Sequence, residues 1–160
     1  MRALRLMSSE PDPVLVEVDE REPGPREVVI RVGGAGACHA DLQAVGDFEP
    51  GQLRFEPPVT LGHENAGWVE SLGEVVTGLE VGQPVAVSGP WECGSCPRSW
   101  LGMETRCENI AAAPVPMGGG GLSPDGGMAE LMLVSSARFL VPADPEPAGA
   151  ALLADAGLTL

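Results

Sequence analysis

No lysine occurs in the 160 residues; all nine basic side chains are arginines. That excludes Schiff-base catalysis, a lysine nucleophile and the phosphate-gripping lysine of a P-loop. Positive charge of any kind is scarce, with 9 basic against 23 acidic residues and a formal net charge of −14. A surface so negative repels phosphate backbones and anionic lipid, so neither nucleic acid nor a membrane is an expected partner. Long hydrophobic runs are absent too. No stretch approaches the roughly 18 apolar residues of a spanning helix, and the start MRALRLMSSEPDP has no apolar centre of signal-peptide length. The expected compartment is the reducing cytoplasm, where four cysteines read as thiols or metal ligands rather than disulfides. A dinucleotide fingerprint is missing. GAGACH (34–39) offers G-x-G without the third small residue or a following long helix, and GGGG (118–121) has no neighbouring GK[ST]. Both read as turns. There is no G-x-S-x-G elbow, and neither histidine has an evident serine partner, which argues against a serine hydrolase.

What the chain has in plenty is glycine (22) and proline (16), within a 44% apolar composition. Frequent turns around β-branched runs favour many short strands over long helices. ALRL (3–6), VLVEV (14–18), EVVIRV (27–32), NAGWVESL (65–72), PVAVS (84–88), MAELMLV (128–134) and RFLVP (138–142) are the predicted strands. CHADLQAV (38–45) is an early helix. A later one is expected over about 145–156, with Asp144 as its cap and Pro145 in its first turn. The expected fold is mostly β with short helices, a partly open β-barrel in one domain spanning 1–160.

Two constellations carry candidate chemistry. VTLGHENAGWVESLG (59–73) sets His63 beside Glu64 among Gly62, Gly67 and Gly73. With Cys38, these supply the thiolate, imidazole and carboxylate donors that bind zinc. The alternative is a buried thiol and a histidine satisfied by its neighbours. The second constellation is CGSCPRSWLGMETRC, where Cys93 and Cys96 form a C-x2-C pair and Cys107 is a third thiol. Ser99 stands where a further cysteine would complete the spacing. The lobe therefore either binds metal with help from an acidic residue or water, or holds three reduced cysteines.

GHENAGWVESLG resembles the G-H-E-x-x-G-x-V-x-x-x-G signature of zinc-containing medium-chain alcohol dehydrogenases. GACHAD resembles the segment bearing that family's first catalytic zinc cysteine, and GPWECGSC…C its structural-zinc lobe (about 89–110). PDGGMAELMLV and LLADAGLTL match later landmarks in the same order. The likeness covers the whole chain and implies the family's N-terminal, GroES-like catalytic domain, stopping where a nucleotide-binding domain would begin. It implies Cys38, His63 and Asp155 as catalytic zinc ligands, with Glu64 beside the metal. Asp41 would orient His63, and Cys93, Cys96 and Cys107 would be remnants of the structural zinc site. The implied chemistry is Lewis-acid activation of a small-molecule alcohol, aldehyde or ketone, with hydride passing to NAD(P). This stretch is expected to bind no NAD(P) itself. Three departures stand out: Ala40 where a proton-relay Ser or Thr is common, Ser99 for the third structural cysteine, and no nucleotide-binding domain. They leave two alternatives open: a free-standing non-redox zinc enzyme, and a binding or scaffold module. Apolar surface that faces the cofactor domain in the family makes homo-oligomers an expected state.

Overall fold

The computed structural model describes residues 1–8, 12–46, 57–109, 125–143 and 146–158. Within these residues the strands are β1 (Arg2–Leu6), β2 (Val14–Glu17), β3 (Val28–Gly36), β4 (Val59–Thr60), β5 (Glu64–Leu72), β6 (Pro84–Val87), β7 (Leu131–Val134) and β8 (Leu140–Pro142). The helices are short: α1 (His39–Gly46), α2 (Pro97–Trp100) and α3 (Pro147–Ala151). Strands β2-β1-β4 form one antiparallel sheet and β7-β3-β5-β6-β8 the other. The segment before β7 stitches the sheets together. Ala129 bridges Ala3, the N–H of Leu4 donates to the Met128 carbonyl at 2.8 Å, and that of Val32 donates to the Glu130 carbonyl at 3.0 Å. The result is the expected partly open barrel, closed along one seam.

Its core follows from strict alternation on β6 and β7 and from runs of consecutive buried residues on β3 and β5, the central strands of the sheet. Val28, Ile30, Val69, Val85, Met132 and Val134 are all buried in one cluster. Each such side chain contributes about 1.5–3 kcal/mol of transfer free energy. Two irregularities punctuate the β3–β5 ladder. Val29 pairs with Ser71 and Ile30 with Val69, leaving Glu70 as an extra residue on β5. Val32 pairs with Gly67 and Gly34 with Ala66, leaving Gly33 extra on β3. A Cβ on Gly33 would sit 2.7 Å from the Trp68 ring and 2.9 Å from Pro147, and one on Gly34 2.8 Å from the Ala148 Cα. Two bare backbones let α3 lie directly on β3 at the bulge.

The late helix differs from expectation. It starts at Pro147, with Glu146 at the cap position making no side-chain cap bond, and it ends at Ala151. Asp144 and Pro145 lie outside the described residues. The helix gives way to 3-10 turns at Leu152–Ala154 and Ala156–Leu158. Leu152 and Leu153 are exposed, so beyond Ala151 no continuous apolar face packs on the barrel to stabilise further α-helix. The predicted strand over 128–134 is regular only from Leu131. In that over 138–142, Arg138 and Phe139 form a 3-10 turn. Val59–Thr60, too short to show alternation, was not anticipated as a strand.

Candidate metal centre

The last pair of the β3–β5 ladder is Gly36 opposite Glu64. Cys38 follows β3 by two residues and His63 immediately precedes β5, so the pairing brings a thiol and an imidazole to one end of the sheet. Asp155 arrives separately, between the two C-terminal 3-10 turns. The donor atoms of Cys38, His63 and Asp155 all lie within 4.8 Å of one another. His63 Nε2 is 3.3 Å from Asp155 Oδ2, and Cys38 Sγ is 3.9 Å from the same oxygen. His63 is buried, whereas the Asp155 side chain is 37% exposed, so the cluster has one wet side.

Asp41, buried on the first turn of α1, organises the cluster from behind. The Cys38 N–H donates to its Oδ2 at 3.0 Å and the Gly62 N–H to its Oδ1 at 3.2 Å. The same Oδ1 faces His63 Nδ1 at 3.4 Å, an ion-pair separation longer than a good hydrogen bond, and Nδ1 has no closer partner. Burial pushes the Asp41 carboxyl up. His63 and the Cys38 and Gly62 N–H groups outweigh it, and the net shift is downward. His63 is raised to about 9, chiefly by Asp41, with burial opposing and Cys38 adding to the rise. Gly62 adopts φ +94, a left-handed conformation that glycine tolerates at little cost. Its carbonyl accepts from Asn65 Nδ2 and from the Gly127 N–H, both at 2.9 Å, which fixes the peptide leading into His63.

Glu64 is fully buried, and its Oε1 accepts the N–H of Ala156 at 3.0 Å. This bond ties the segment carrying Asp155 to the start of β5. Nothing in the sequence signals it, because the acceptor and donor are 92 residues apart. All five residues expected at the catalytic site thus sit in one neighbourhood.

Cys93, Cys96 and Cys107 form a second cluster, their sulfurs within 4.8 Å of one another. Six donors point at these sulfurs. The N–H and hydroxyl of Ser95 and the Asn109 side-chain amide donate to Cys93, the backbone N–H groups of Ser99 and Glu108 donate to Cys96, and the Cys93 N–H donates to Cys107, all at 3.4–3.5 Å. Those of Ser95 lead in lowering the Cys93 thiol to about 5. Arg138 pins the lobe to the barrel, bonding the buried Glu92 carboxylate and the Glu92 carbonyl. Sequence reading missed this anchor. Trp91 packs inside the core, stacked on Phe139 with ring centroids 5.1 Å apart, and its Nε1 donates to the Ser88 carbonyl at 2.9 Å. The cavity of about 430 Å³ it borders contains none of Cys38, His63 or Asp155.

A partly open barrel presenting a thiol, an imidazole and a carboxylate at the end of two paired strands has the build of a zinc-type dehydrogenase's GroES-like domain. Residues 24–145 match the alcohol dehydrogenase GroES-like domain family, and the chain belongs to that family. It is 39% identical over 150 residues to D-arabinose 1-dehydrogenase (NADP(+)) of Saccharolobus solfataricus, covering 92% of this chain and 40% of that protein. It is 36% identical to L-threonine 3-dehydrogenase of Symbiobacterium thermophilum over 142 residues, 88% of this chain and 38% of that one. The crystal structure of the Aeropyrum pernix alcohol dehydrogenase superposes with a TM-score of 0.85 at 34% identity, covering 99% of this chain and 46% of that one. A cobalt- and zinc-bound thermostable alcohol dehydrogenase from Pyrobaculum aerophilum gives a TM-score of 0.81 at 33% identity, over 96% of this chain and 44% of that one. The chain therefore spans about 40% of the length of the curated relatives it matches. Among the described residues no helix is long and apolar enough to cross a membrane.

Proposed function

We propose that this chain is the zinc-holding catalytic domain of an NAD(P)-dependent oxidoreductase acting on a small-molecule alcohol, aldehyde or ketone. Cys38, His63 and Asp155 are the ligands of its catalytic zinc. The observation that carries this reading is the convergence of three zinc-type donor atoms within 4.8 Å from positions far apart in sequence. Three protein ligands with a wet side is the donor count of a catalytic zinc, which keeps one position open. The orphaned Nδ1 of His63, facing a carboxylate, fits the outer partner of a ligating histidine. When bound, zinc supplies Lewis acidity towards the oxygen of an alcohol or carbonyl.

The chain's own residues then divide the work. Asp41 holds the ring orientation of His63 and the backbone around Cys38. Glu64 fixes the Asp155 segment through Ala156 and keeps a carboxylate beside the site. Ala40 supplies no hydroxyl, so a proton leaving the substrate oxygen takes a path that does not use this side chain. Cys93, Cys96 and Cys107 hold a second, structural zinc in the lobe. NAD(P) is held, on this reading, by residues outside 1–160. Exposed Val141 and Leu153 border one cavity and offer apolar surface suited to self-association, and the cytoplasm suits the free thiols.

The test is metal analysis of the purified chain and of a His63→Ala variant shown by circular dichroism to be folded. Zinc content is expected to fall by about one ion per chain in the variant. Unchanged content would overturn the assignment.

A further inference from the structure

The lobe's departure from an all-cysteine set lies at Ser99, and the structure shows what stands there. Cys96 is the N-cap of α2, with Pro97 in the first turn and Ser99 one turn in. The first turn of a helix folds its third residue back over its cap, so the Ser99 N–H donates to Cys96 Sγ at 3.4 Å. The same fold brings the Ser99 hydroxyl to 3.1 Å from Cys96 Sγ and 3.6 Å from Cys93 Sγ. In a tetrahedral zinc site, bonds of about 2.3 Å to sulfur and 2.0 Å to oxygen put those atoms about 3.5 Å apart. The hydroxyl lies on either side of that separation from two of the three sulfurs, close enough to both for a small shift to make it a fourth ligand. The sulfurs are already arranged as acceptors by the six donors that surround them.

We propose that Ser99 Oγ is the fourth ligand of the lobe's metal, making an S3O site in place of an all-thiolate one. This rests on the reading that Cys93, Cys96 and Cys107 bind metal. With three thiolates and one neutral hydroxyl, a divalent ion leaves the site one negative charge poorer in ligands than four thiolates would. The hydroxyl is also the weakest donor of the four. The metal in this lobe is consequently more exchangeable than in a closed thiolate cage, and its weak vertex is the one that exchange would open.

Cobalt(II) chloride is the probe, added to the metal-free chain in a Cys38→Ala background so that the other cluster does not contribute. The native lobe is expected to show thiolate-to-cobalt charge-transfer absorption. Ser99→Cys should raise its intensity by about one third and slow zinc release to a chelator about tenfold. Ser99→Ala should keep the charge-transfer intensity, alter the cobalt d–d bands and speed zinc release. If Ser99→Ala matches the native lobe in d–d bands and release rate, or if Ser99→Cys adds no intensity, Ser99 is not a ligand although the lobe binds metal. Absence of any charge-transfer band would overturn this proposal and the lobe's metal reading together.

Discussion

Replacing Asp41 with asparagine separates two jobs that one carboxylate performs. Its two oxygens accept the N–H groups of Cys38 (3.0 Å) and Gly62 (3.2 Å), and one of them faces His63 Nδ1 at 3.4 Å. Asparagine has one oxygen. With that oxygen kept on Gly62 and His63, its NH2 group meets the Cys38 N–H donor to donor, costing about 1–3 kcal/mol of fold stability. The charge is also lost, so His63 falls from about 9 towards its ordinary 6.5. Zinc affinity feels both changes in opposite directions. Loss of the partner that orients a ligating histidine weakens binding by about 10- to 100-fold. Relief from proton competition strengthens it at pH 7, where native His63 carries a proton that zinc must displace, by roughly two pH units' worth. The native chain should therefore bind zinc more tightly as pH rises from 7 to 9, and Asp41→Asn should show a shallower rise. At pH 7 the two effects cancel to within about tenfold, whereas near pH 9.5 the full 10- to 100-fold loss emerges. Competition against a chromogenic chelator measures the affinities. Proton NMR reads His63 directly, because the chain has only two histidines. The reasoning is refuted if the variant loses the same factor at both pH values, or if its His63 still titrates near 9.

Two further outcomes follow from the same geometry. In metal-free protein, a folded His63 pKa raised above the unfolded value contributes stability that is fully present below about pH 6.5 and lost as pH rises through about 9. Thermal unfolding in a chelator should show a falling midpoint across that window, worth at most about 3 kcal/mol, and a flat profile would refute it. Arg138→Met strands the buried Glu92 carboxylate, and because the arginine is 35% exposed the expected loss is about 1–3 kcal/mol. Limited proteolysis should then cut first within the 93–107 lobe; an unchanged cleavage pattern would show that the anchor does not hold it.

Much of the barrel was legible because its strands are bracketed by glycine and proline, and alternation on β6 and β7 reports one buried face. Cys38 and His63 were readable as zinc-type donors from their chemistry, but Asp155 was readable only through resemblance, since no spacing rule joins residues 38, 63 and 155. The contacts that hold the cluster were invisible. Glu64 works through a backbone N–H, which any residue at 156 other than proline would offer, so the sequence carries no mark of it. Arg138 and Glu92 look like ordinary surface charges until the 3-10 turn at 137–139 aims one at the other. The late helix was overextended because Ala-rich composition signals helix propensity, while its length is decided by whether an apolar face finds something to cover it.

The extra residues at Gly33 and Glu70 lie on opposite strands of the same ladder. Each alone shifts the pairing by one position; together they restore it before Gly36 meets Glu64. Because a one-residue slip turns every side chain to the other face of a sheet, deleting either one singly would swing Cys38 and His63 out of step. Insertions and deletions at these two places are therefore tied to each other: a lineage could lose both and keep Cys38 beside His63, but losing one would part them while leaving most of the barrel intact.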